Sequence, residues 1–140
     1  MASHDDYGKR VMREAVGSAF ADWGSSLEID YGAGGPARID GTIGRTIAVE
    51  VESRVSKQVR GAVLDLICHR YPKKLLILLP VHMNNPVVTA DQCRFIFAKF
   101  LDSADFRVVL LTGSGDRPEL SDDVPLVKQA IHELGFSSTG

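Results

Sequence analysis

Apolar residues recur at helical spacing from Tyr7 to Trp23, where Val11, Ala15, Val16, Ala19 and Phe20 share one face and Gly24-Ser25-Ser26 ends the pattern. The period then shortens. Leu27 to Tyr31 alternates as a strand, Gly32-Ala33-Gly34-Gly35-Pro36 is a turn, and Ala37 to Asp40 reads as a second strand. Gly41 to Arg45 has the length and the glycines of a hairpin connection. Thr46 to Glu52 follows as a third strand, with Ile47, Val49 and Val51 on one face and Ala48, Glu50 and Glu52 on the other.

Helical spacing returns from Val55 to Arg70, with an apolar stripe of Val55, Val59, Ala62, Val63, Leu66 and Ile67 and with Ser53 or Ser56 available as N-cap. Leu75 to Leu79 is an unbroken apolar run ended by Pro80, which suits a strand buried on both faces in a parallel part of a sheet. Thr89-Ala90-Asp91-Gln92 has the form of a capping box and opens a helix reaching Leu101. Phe106 to Leu111 is another buried strand. Leu126 to Leu134 is a last helix, with Gly135 as its C-cap. Hairpin-connected strands followed by crossovers predict an α/β fold, a mixed central sheet of about five strands flanked by helices.

The chain of 140 residues is long enough to bury a core without staples, so one domain over 1–140 is expected, with frayed ends over about 1–6 and 136–140. The longest apolar run is too short for a membrane span, and the first residues are polar and partly acidic where a secretory signal is basic and then apolar. A cytoplasmic protein without a membrane partner is expected. Cys68 and Cys93 read as reduced core thiols, and the four histidines lack the spacing of a zinc site.

A net charge of −2 excludes a protein that binds nucleic acid merely by being basic. The distribution differs from the total, because Arg38 to Lys74 holds eight Lys or Arg against four Asp or Glu. Positive charge is gathered in the middle of the chain, around the acidic strand. Two carboxylates on one strand face lie roughly 7 Å apart and disfavour each other's charge, so a metal ion or a cationic side chain must stand near them. Asp40 on the predicted hairpin partner can join them. Such oxygen donors suit Mg²⁺, or Mn²⁺, which can activate a water and stabilise charge on a phosphate. Arg54, Lys57 and Arg60 on the following helix, and Arg38 on the preceding strand, are then phosphate-binding groups. The plainer reading is a solvated edge strand in which Glu50 and Glu52 pair with Arg38, Arg45 or Arg54.

The residues Arg38-Ile39-Asp40 and Ile47-Ala48-Val49-Glu50-Val51-Glu52, and the order helix, three strands, helix, strand, resemble the PD-(D/E)xK nuclease superfamily. The resemblance implies a restriction-endonuclease-like fold and a Mg²⁺-dependent nuclease acting on DNA, with Asp40 and Glu50 as metal ligands. Glu52 stands where the motif has lysine, and Ile39 where it has proline. Glu52 then serves as a third ligand or water-positioning base, and Lys57 or Arg54 on the next helix supplies the catalytic cation. Glu14 is the match for an acidic ligand on the first helix. A homodimer would set two such sites on a duplex. The missing lysine keeps open an inactive nuclease-fold protein that binds nucleic acid or a protein, and a third reading is an α/β domain for small molecules or protein partners.

Overall fold

The computed structural model describes residues 4–137. Its first helix, α1, spans His4–Val16, and Gly17, with φ of 58°, ends it well before Trp23. The positive φ favours glycine and breaks the helical hydrogen-bond series. The end of the predicted helix is instead an edge strand, β1 (Phe20–Ala21), so the same apolar residues serve a different period. Of the ends expected to fray, residues 4–6 form the first turn of α1, whereas residues 1–3 and 138–140 lie outside the described residues.

The two predicted strands that follow shrink to β2 (Glu28–Ile29) and β3 (Ala37–Arg38), which pair with each other as a separate two-stranded ribbon. The strand that pairs with the acidic one is β4 (Gly41–Ile43), inside the segment expected to be a connection. It joins β5 (Ile47–Glu52) in antiparallel register, Gly41 opposite Val49 and Ile43 opposite Ile47. The hairpin turn is tighter than expected, and Gly44 with φ of 58° makes it possible.

After β5 come α2 (Ser56–Cys68), β6 (Lys73–Leu78), α3 (Pro86–Phe100), β7 (Phe106–Leu110) and α4 (Leu120–Glu133). Val55 is the N-cap of α2 and provides no side-chain cap, so Ser53 does not fill that role. Asn85 caps α3, its side chain accepting from the Val88 amide at 3.2 Å, with Pro86 in the first turn in place of the predicted start at Thr89. The last helix begins at Leu120 and tolerates Pro125 within it. Its C-terminus is closed as expected at Gly135, whose φ is 92°.

The main sheet is mixed and five-stranded, in the order β1-β4-β5-β6-β7, with β6 parallel to both β5 and β7. Two apolar cores sandwich it. Ile47, Val49 and Val51 pack with α1 and α4, while Ala48 packs with α2 and α3. The central strand is therefore covered on both faces, and Glu50 and Glu52 point into the α2–α3 side rather than to solvent. Helix α1 rides close on β5, since a Cβ at Gly8 would stand 2.4 Å from Val51 Cγ1. Cys93 is buried as expected, but Cys68 is exposed. No helix among the described residues is long and apolar enough to cross a membrane.

Strand β7 is an open edge, and two arginines cover its outward carbonyls. Arg94 Nη2 donates to Val108 O at 2.8 Å and Arg107 Nη1 donates to Phe106 O at 2.7 Å. Guanidinium groups there compete with any incoming strand. Arg94→Ala is expected to cost about 1 kcal/mol of stability and to promote self-association, seen as earlier onset of light scattering on heating.

Candidate active site

The β4–β5 ladder ends at the Gly41 and Val49 pair, and one step further the backbone bonds are replaced by side-chain bonds. The Asp40 amide donates to Glu50 Oε1 at 2.8 Å, and the Val51 amide donates to Asp40 Oδ2 at 2.7 Å. Each carboxylate thus caps a strand-end amide that would otherwise be orphaned. Asp40 and Glu50 are brought together by this exchange. A neutral amide side chain would cap as well, so capping alone gives no reason for two acids.

The electrostatics are costly. Glu50 is only 8% exposed, and its burial, then the Asp40 charge and a hydrogen bond between the two side chains, push its carboxyl far above the usual range. At neutral pH the Glu50 carboxyl therefore favours its protonated form. A carboxyl so perturbed, next to a specific charge partner, marks a functional-site candidate.

Glu52, 2% exposed, is held differently. Burial alone would raise its pKa, but Arg54 outweighs it and the carboxyl lies below its ordinary value. Arg54 Nε donates to Oε2 at 2.9 Å and Arg54 Nη2 donates to Oε1 at 2.8 Å, a two-pronged contact. The Ser53 and Arg54 amides also donate to Oε2, at 3.0 and 2.8 Å. Both Glu52 oxygens are therefore committed to protein donors. The Arg54 side chain itself is 64% exposed and presents its outer face to solvent beside the acidic pair.

Asp5, on the first turn of α1, joins this neighbourhood. It accepts from Ser53 Oγ at 3.1 Å, and its pKa is raised by burial, with Asp40 and Glu52 among the charges that act on it. It falls in the segment expected to fray. The available signal was Asp5-Asp6 as the acidic first turn of an amphipathic helix. Glu14 is exposed and lies nine residues further along α1, about 13 Å along the axis, so it does not join the other acids.

Lys57 and Arg60 are exposed on α2, and among the described residues no ion pair ties either to the carboxylates. Arg38 is exposed on the ribbon strand β3, opposite Glu28, and not on the strand next to β5. The central positive charge is also dispersed: Lys73 pairs with Asp105 at 2.8 Å, and Lys74 is buried with its ammonium donating to His69 O.

The donor set decides what ion could fit. Asp40 and Glu50 together can offer two carboxylates, and Mg²⁺ is commonly held by one or two carboxylates with water and substrate phosphate completing its shell. Among the described residues no group of three or more acids, histidines and cysteines is arranged to hold a metal. Comparison with protein-family models, with curated proteins and with solved structures returns no match.

Proposed function

We propose that this chain is a Mg²⁺-dependent phosphodiesterase acting on nucleic acid, with Asp40 and Glu50 holding the ion. The observation that carries the reading is the pair of carboxylates at the end of the β4–β5 ladder, Asp40 against the buried, raised-pKa Glu50, with the Arg54 guanidinium held close by. Within the main sheet, α1 is followed by antiparallel β1, β4 and β5 and then by α2 and the parallel β6, an order that supports a restriction-endonuclease-like arrangement, as the sequence resemblance implies. When bound, the ion lowers the pKa of a coordinated water and withdraws charge from the phosphate.

The chain's own residues divide the remaining work. Glu50 must give up its proton to become a ligand, so binding is favoured by rising pH. Glu52 is a positioning residue: it fixes Arg54 in one geometry, and Arg54 supplies hydrogen bonds to a phosphate oxygen as negative charge grows there. Lys57 and Arg60, along the exposed side of α2, give weaker, longer-range attraction for the nucleic-acid backbone. Two sites on a duplex would still require a homodimer.

The second reading is a nuclease-fold protein that binds without cutting, favoured by Glu52 in the lysine position with both oxygens engaged by protein donors. Incubation with single-stranded, duplex and branched DNA and with RNA, in Mg²⁺ or Mn²⁺, separates the two. Cleavage dependent on the metal is expected, reduced at least about 100-fold by Asp40→Asn, which keeps an acceptor for the Val51 amide. Failure to cut any of these substrates would overturn the enzyme and favour the binding protein.

A further inference from the structure

Helix α3 is apolar on both sides. Ala90, Cys93 and Phe97 face the core, yet Val87, Val88, Phe95 and Phe100 stand on the same helix in solvent, Phe95 being 67% exposed. Four of the ten large apolar side chains exposed among the described residues therefore lie on one element of 15 residues. Single exposed apolar side chains are ordinary, but a helix that is apolar all round is one that something covers. Phe95 is the crest between two cavities, one of about 450 Å³ reaching Val59 on α2 and one of about 800 Å³ reaching Leu126 on α4, and it lines both. The face is thus a ridge with a trough on either side.

The charges along that ridge are ordered. Asp91, Phe95 and Lys99 are spaced four residues apart, so they form one row on the helix surface, with an acid one turn before the aromatic ring and a cation one turn after it. Lys99 Nζ stands 4.9 Å from the centroid of the Phe95 ring, and Asp91 Oδ1 accepts from Arg94 Nη1 at 2.9 Å, yet Asp91 and Lys99 are both exposed. Rows of this spacing align with one another in the commonest class of helix crossing. A row that reads acid, aromatic, cation is complementary to itself when reversed, because a two-fold axis at Phe95 sets each Asp91 against the other copy's Lys99. A uniformly acidic or uniformly basic partner would match one end of the row and oppose the other.

We propose that α3 is the surface on which two copies of this chain associate, the row of Asp91, Phe95 and Lys99 running antiparallel to the same row of the second copy, with the two Phe95 rings packed at the two-fold axis. The troughs beside α3 receive the flanking side chains of the other copy. The inference stands on apolar exposure and charge order and is independent of the nuclease reading. A dimer that does not cut keeps it, and a monomer that cuts removes it.

Sedimentation equilibrium of the full chain is expected to give twice the chain mass of 15.2 kDa. Phe95→Glu should give a monomer with unchanged far-UV circular dichroism, because the ring is exposed and its loss leaves the core intact. Asp91→Lys leaves both ends of the row basic and Lys99→Glu leaves both acidic, so each variant alone should dimerise at least about tenfold more weakly. An equimolar mixture of these two variants should associate as tightly as the unmodified protein, since every end-to-end contact is then between opposite charges. An unmodified chain that stays monomeric would overturn the proposal and leave the face to a different partner. A dimer that survives Phe95→Glu, or a mixture no tighter than either variant alone, would overturn it as well.

Discussion

Glu50→Gln is expected to make the protein more stable at pH 7, by about 2 to 3 kcal/mol, while abolishing metal-dependent cleavage. The sign follows from the direction of the shift. Burial and the Asp40 charge raise the Glu50 carboxyl from 4.5 to about 9 in the folded chain. Between those values the folded protein keeps a proton that the unfolded chain has released, so its stability falls as pH rises through that window. Each unit of pH costs up to about 1.4 kcal/mol until the folded carboxyl also ionises. Glutamine has no proton to lose, and its carbonyl still accepts from the Asp40 amide.

Urea denaturation at pH 5, 7 and 9 measures this directly. The gap between Glu50→Gln and the unmodified protein should widen with pH, and Mg²⁺ should narrow it by stabilising the unmodified protein alone. A gap independent of pH, or a loss of stability in the variant, would mean that Glu50 is ionised and paired with a cation. The same shift predicts cleavage that rises with pH from neutrality toward about 9, as the proton competing with the metal is lost. Stability sacrificed at one buried pair is the expected mark of a site kept for chemistry.

Asp123→Ala should be the most destabilising single change, by about 3 to 5 kcal/mol, in urea unfolding. Asp123 is fully buried and accepts four hydrogen bonds: Tyr7 Oη at 2.7 Å, the Thr112 amide at 2.7 Å, Thr112 Oγ1 at 2.9 Å and the Gly113 amide at 2.9 Å. One carboxylate thereby joins α1, the chain leaving β7 and the first turn of α4. Alanine would strand these donors in the interior, where an unpaired group costs its full desolvation. Tyr7→Phe removes one of the four and should cost about 1 kcal/mol. A loss below about 1 kcal/mol in Asp123→Ala would show that water replaces the carboxylate and that the network is not closed.

That network also explains why the last helix was foreshortened in the sequence reading. Pro125 stands directly before the expected start at Leu126, and a proline inside a helix is locally unfavourable. Asp123 is recruited by Tyr7, more than a hundred residues away in the chain, and no window around Leu120 contains that partner. The hairpin next to the acidic strand was misplaced for a related reason. Gly41 and Gly44 read as a loop, yet Gly41 is a strand residue where a Cβ would stand 2.4 Å from the Phe20 ring. Glycine there answers a crossing aromatic, which only the paired sheet reveals.

Asp40 and Glu50 were both singled out from residue type and spacing, although the strand assigned to Asp40 was not the one that pairs with β5. The error did little harm, since Asp40 directly precedes the true partner, β4. Asp5 had no such route. Its link to the site is a contact with Ser53 across 48 positions, made by α1 lying on β5 through Gly8.

From sequence alone came the α/β class, the apolar alternation that buries β5, and the placing of Glu50 and Glu52 on one face of it. These are consequences of backbone geometry repeated every two or every 3.6 residues, so a short window contains them. Tertiary structure decided that β5 lies at the centre of the sheet, that Asp40 stands against a buried Glu50, and that Glu52 belongs to Arg54. Charge state and partner depend on desolvation and on neighbours through space, and those exist only once the chain has closed around them.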